Sequence, residues 1–118
     1  MQSGISTALD VQRLITFQFI DNRMLEAQLN RHQEIRARCT LNKFTFEDGV
    51  YATYVLLALP ESYQAVKDSF FATNDLTTIK PADVRARIIE TEIRRKAESV
   101  SSANTITSKR QGPRHKPK

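Results

Sequence analysis

Tyr54-Val55-Leu56-Leu57-Ala58-Leu59-Pro60-Glu61-Ser62-Tyr63 is the stretch on which the fold turns. Its apolar residues continue a helix that starts at Thr45, with Asp48 three residues on, and Val50, Tyr51, Tyr54, Val55, Leu57 and Ala58 cover two adjoining faces. So broad an apolar arc predicts a central helix buried on more than one side. Pro60 stops it, because the ring removes a donor and pushes the preceding residue out of the helical region. Glu61 and Ser62 restart the chain, and Tyr63, Val66 and Phe70 then line one side of a short fourth helix that breaks at Asn74-Asp75.

Upstream, Val11, Leu14 and Ile15 recur at helical spacing after Thr7 and Asp10, which together form a capping-box-like start, predicting a first helix from about Ala8 to Phe19. Phe17-Gln18-Phe19-Ile20 alternates like a strand, but no second strand candidate exists to pair with it, so it reads as a helix end. Asp21-Asn22 breaks the pattern and offers a cap to the next helix. From Arg23 to about Thr40, Met24, Leu25, Leu29, Ile35 and Cys39 make one apolar face, with His32 on the same stripe. Downstream, Pro81 suits a first helical position and Asp83 suits the positive end of the helix dipole. Val84, Ile88, Ile89 and Ile93 supply the buried side of this fifth helix. Asp83 to Arg87, Glu90 to Arg94 and Glu92 to Lys96 are acid-to-base pairs four residues apart on its outer face, each worth about 0.2–0.5 kcal/mol if formed. The expected fold is all-α, a small bundle of about five helices.

Charge divides the chain in two. Of 118 residues, 18 are Lys or Arg and 13 are Asp or Glu, a formal net charge of +5. All 13 acids lie between Asp10 and Glu98, together with 13 of the basic residues, so residues 1–98 form a neutral helical domain. The surplus is Lys109, Arg110, Arg114, Lys116 and Lys118, in an acid-free stretch from 99 to 118 that is rich in Ser, Thr and Asn, contains Gly112, Pro113 and Pro117, and has no aromatic residue. Such a segment reads as a disordered basic tail or linker that contacts RNA weakly and without sequence preference, with a salt slope of at most about 3.5. A solubilising tail is the plain alternative, and a nuclear localisation signal a weaker one. Arg94-Arg95-Lys96 reads first as a solvated face, because Glu90, Glu92 and Glu98 interleave it.

Little in the sequence points to catalysis. One cysteine, Cys39, excludes an internal disulfide, and with two distant histidines, His32 and His115, it cannot supply a four-ligand zinc site. The three glycines are too scattered for a phosphate-cradling loop. Glu47-Asp48 is the only adjacent carboxylate pair, and its place at a helix start accounts for it. His32 as a base or ligand lacks a nearby nucleophile or second ligand, so it reads as a structural histidine, and Cys39 as a small core residue. The expectation is a protein that is no enzyme, has no cofactor, no small-molecule substrate and no membrane span, and resides in the cytoplasm or nucleus.

The ordered run from Tyr54 to Tyr63 resembles the Leu-Leu-x-x-Leu-Pro-x-x-Tyr signature of Gag polypeptides from copia-type LTR retrotransposons. It is followed by Asp75-Leu76-Thr77 and by Pro81 to Arg95, which looks like that family's last helix, closing with a Glu followed by Arg or Lys. Met24 to Phe46 is similar to the helix and turn that precede the signature, so the likeness covers about Arg23 to Glu98. The resemblance implies a capsid-like structural protein that multimerises around RNA. It makes Leu56, Leu57, Leu59, Pro60, Tyr63, Glu92, Arg94 and Arg95 the family-motif positions, expected to be structural more than interfacial. The family's domain normally begins further upstream and continues into a Cys-Cys-His-Cys zinc knuckle, so the chain is expected to be a fragment or degenerate copy of a longer Gag. The other reading is a cellular helical RNA-binding or adaptor protein without particle assembly.

Overall fold

A computed structural model describes the backbone of residues 4–21 and 23–115 and the side chains within this range up to residue 100. Five α-helices run in order among the described residues: α1 (Gly4–Thr16), α2 (Leu25–Leu41), α3 (Asp48–Ala58), α4 (Gln64–Thr73) and α5 (Pro81–His115). Short 3-10 turns at Glu61–Tyr63 and Leu76–Thr78 lead into α4 and α5. The described residues contain no strand, and the fold is the expected all-α bundle. The helical backbone of α5 passes beyond Glu98, where the composition changes, and the expected tail from 99 to 118 lies outside the described side chains except for Ser99 and Val100.

Helix starts depart most from the sequence reading. α1 begins by Gly4 and ends at Thr16, so Thr7 lies inside it and the capping box from Thr7 to Asp10 does not form its start. Asp10 is instead buried, 3.0 Å from Arg13 Nη1 and 3.4 Å from Arg38 Nε, and ties α1 to α2. Phe17 to Ile20 is neither helix end nor strand; it is an irregular connection, anchored where the Phe19 amide donates to the Ala58 carbonyl (2.9 Å). α3 starts at Asp48 rather than Thr45, with Glu47 in extended conformation before it. Pro60 acts as expected: α3 stops at Ala58, and Leu59 is extended at ψ 147°.

α2 ends in a Schellman motif, in which Phe44 donates to the Cys39 carbonyl and Lys43 to that of Thr40, both at 2.9 Å. Lys43 takes the left-handed position at φ 67°, where glycine is the ordinary occupant. α3 is the centre, packing on α5 and on the Leu76–Thr78 turn. Gly49 makes that turn possible: a Cβ there would lie 2.5 Å from the Leu76 carbonyl oxygen and 2.8 Å from that of Thr77. Leu14, Phe19, Leu25, Leu29, Ile35, Cys39, Tyr51, Val55, Leu56, Tyr63, Val84 and Ile88 belong to one continuous core.

Candidate functional site

The motif residues separate into two groups by burial. Leu56, Leu59 and Tyr63 are buried and Pro60 is half-buried, while Leu57 is 55% exposed on the outside of α3. Residues far apart in sequence meet around Tyr63. The Arg95 guanidinium lies 4.2 Å from the Tyr63 ring centroid and donates to the Ser62 carbonyl. The Ser62 hydroxyl donates to Asp21 Oδ1 at 2.7 Å. One turn back along α5, Glu92 Oε2 accepts from the Leu25 amide at 2.7 Å, 67 residues away in the chain. Leu25 is the first residue of α2, and no side chain at Met24 caps it; Glu92 accepts from its amide, while Asp21, expected as a cap, accepts from Ser62, and Asn22 lies outside the described residues. Burial raises the pKa of Tyr63, against the lowering influence of Arg95, and keeps its phenol neutral beneath the guanidinium.

α5 carries apolar residues on two opposite sides. Val84, Ile88 and Thr91 are buried against the bundle. About 180° around the helix, at 100° per residue, lie Ala82, Ala86, Ile89, Ile93, Ala97 and Val100. The sequence reading put Ile93 on the buried side, but it is 63% exposed, and Val100 is 58% exposed. Ile89 is half-buried at the edge of the core, and Ala86, Ile89, Glu90, Ile93 and Arg94 form a shallow groove. The three expected acid-to-base pairs do not close; the ion pairs within 4.0 Å among the described residues are Arg13 and Arg38 with Asp10, Arg36 with Asp48, and Arg85 with Glu26. Arg94 is exposed beside the outer stripe.

His32 is fully buried among Phe17, Phe19 and Tyr51, stacked on Tyr51 with centroids 5.1 Å apart. Its Nε2 lies 3.1 Å from the Leu14 carbonyl oxygen, which can only accept, so Nε2 carries the proton and Nδ1 is left without a partner. Burial lowers the His32 pKa, only partly offset by that hydrogen bond. Cys39 is wholly buried, and burial raises its pKa, as for an inert core thiol. Glu47 and Asp48 are exposed, and Asp48 is held by Arg36 at 3.0 Å. No group of three or more metal-ligating side chains occurs among the described residues, and none of their helices is long and apolar enough to cross a membrane.

Of the predicted RNA contacts, the Lys109, Arg110 and Arg114 side chains and the whole of Lys116 and Lys118 lie outside the described residues. The sequence missed the outer role of Ile93 and the capping role of Glu92; the first was visible as a second apolar stripe, the second had no local signal. Comparison of the chain with protein-family models, with curated proteins and with solved structures gives no match.

Proposed function

We propose that the chain is a non-enzymatic structural module of the copia-type Gag kind, which associates with further copies of itself through the outer stripe of α5 and contacts RNA weakly through its basic tail, in the cytoplasm or nucleus. The observation that carries this reading is the stripe itself. A helix whose inner side already fills the core has no packing need for Ile93 and Val100 on the opposite side, yet both are exposed in line with Ala82, Ala86 and Ala97. The small residues let a second helix approach closely, and the two large ones supply apolar area. The stripe runs for about 27 Å at 1.5 Å per residue. The neighbouring charges Glu90 and Arg94 have opposite sign, so like chains are not driven apart by a single-sign flank.

The motif positions support the same reading in another way. Tyr63, Glu92 and Arg95 form a joint that fixes α5 on the bundle, leaving its outer side free for association. Light scattering and sedimentation of the full chain test the proposal. The mass is expected to rise with concentration, and Ile93→Glu to abolish that rise while the helical signal stays unchanged. A strict monomer at high concentration, with and without RNA, overturns self-association, and loss of no RNA affinity on deleting residues 99 to 118 overturns the role of the tail.

A further inference from the structure

A cavity of about 230 Å³ lies between α2, α3 and the first turn of α5, meeting the outer stripe only at its first residue, Ala82. Leu29, Val55 and Pro81 give it apolar walls, and Gln33, Arg36, Tyr51 and Arg85 give it polar ones. Arg36 uses Nη2 on the Phe46 carbonyl (2.6 Å) and on Asp48 (3.0 Å), and Arg85 uses Nη2 on Asn30 Oδ1 (2.7 Å), with Glu26 at 3.9 Å. Each guanidinium therefore keeps its Nε and Nη1 donors uncommitted among the described residues. Their two acid partners face solvent, Asp48 with 75% and Glu26 with 51% of the side chain exposed, so water screens the acids more than it screens the cavity.

Tyr51 adds an independent observation. It is 5% exposed, its ring is covered by His32 on one side and by Arg36 at 4.3 Å, and it lines the cavity, where its hydroxyl is not among the buried atoms left without a partner. Burial raises its pKa against the opposing influence of Arg36 and Arg85, so the hydroxyl keeps its proton and can donate at the cavity. At the same cavity, Ala82 is in the first turn of α5, where the amides of Asp83 and Val84 both turn back to the Lys80 carbonyl and the dipole favours negative charge.

We propose that this cavity binds a phosphate group, either inorganic phosphate or the terminal phosphate of a small monoester, held between the Arg36 and Arg85 guanidiniums and accepting a hydrogen bond from the Tyr51 hydroxyl. Donors converge there from α2, α3 and α5, which suits a tetrahedral anion with oxygens in several directions better than a planar carboxylate. The volume exceeds that of several waters at about 30 Å³ each, enough for a phosphate and a small apolar body against Leu29 and Val55. The site does not depend on self-association.

The test is calorimetric titration of the full chain with sodium phosphate, phenyl phosphate and sodium acetate, each at ionic strength matched with chloride. Saturable one-to-one binding of phosphate or phenyl phosphate is expected, with acetate silent; tighter binding of the ester identifies a monoester as the ligand, and equal binding identifies the free anion. Arg85→Gln and Tyr51→Phe are each expected to weaken binding by about tenfold or more, and Arg94→Gln, on the outer side of α5, to leave it unchanged. Absence of saturable binding, equal binding of acetate, or undiminished binding in Arg85→Gln overturns the proposal. Arg85 is partly exposed, so that variant decides the matter even if Tyr51→Phe fails to fold.

Discussion

The two sides of α5 are built from similar residues and do opposite things. Inward, Val84 and Ile88 are wholly buried, Thr91 closes its hydroxyl on the Arg87 carbonyl at 2.7 Å, and Glu92 and Arg95 reach across to α2 and to the turn before α4. Outward, Ile93 and Val100 meet solvent with only alanines and the half-buried Ile89 in their line. The difference teaches that apolar periodicity tells where a helix has stripes, and the polar residues between them tell which stripe is packed. A threonine that satisfies itself, a glutamate with a distant amide to cap and an arginine with a ring to cover all belong to the inner side.

The sharpest way to break this contrast is to truncate one residue on each side. Ile88→Ala is expected to lower unfolding free energy by about 2–5 kcal/mol, as for other buried aliphatic truncations. Ile93→Ala is expected to change it by less than about 0.5 kcal/mol, as for a surface position. Urea denaturation at low protein concentration, where copies stay apart, measures both, and equal losses would erase the distinction between the two sides.

A smaller effect separates the two glutamates. Glu92→Ala leaves the Leu25 amide without its acceptor and is expected to cost about 1–2 kcal/mol, whereas Glu90→Ala, on the outer flank, is expected to cost less than about 0.5 kcal/mol. Amide exchange at Leu25 should quicken in the first variant only. Unchanged protection there would show that α2 is capped by something else.

Acidification sharpens the comparison most gently. Burial holds the folded His32 pKa below the unfolded value of 6.5, so as pH falls through 6.5 the unfolded chain takes up the proton first. Stability is therefore full above that pH and declines below it, with a slope of at most about 1.4 kcal/mol per pH unit from this group. Nδ1 would have to accept a proton with no partner to receive it, beside the aromatic rings of Phe17 and Tyr51. The apolar residues of the outer stripe carry no titrating atom, so the proposed association through it should hold between pH 7.5 and 6 while the melting temperature falls. Denaturation of His32→Gln should lose the acid-side decline, and a decline that persists would place its cause elsewhere.

Much of the fold was legible because its punctuation is local. Pro60 and Pro81 act through their own rings, and Asn74-Asp75 breaks the chain by short-range hydrogen bonding, with Asp75 accepting from the Thr77 amide. The helix starts were misread because capping patterns describe what a side chain can do, and tertiary structure found other uses for the same groups. Asp10 serves two arginines, one of them on α2, and the start of α2 is served by Glu92. Ile93 was placed inside because Ile88, Ile89 and Ile93 are equally apolar, and nothing in their spacing says which side faces the bundle. The cavity between Arg36, Tyr51 and Arg85 was invisible, since its parts come from three helices and no two of them form a motif.

The hydrogen bond from the Leu25 amide to Glu92 also has a consequence in time. A chain emerging from the ribosome carries α2 long before residue 92 exists, so α2 is synthesised with a frayed first turn and waits for the last helix to complete it. Nascent chains ending before Glu92 should therefore remain loose at both ends of the same joint, with Tyr63 uncovered and α2 open. On this expectation the bundle closes late, when the turn of α5 that carries Glu92 and Arg95 docks on the start of α2 and on Tyr63.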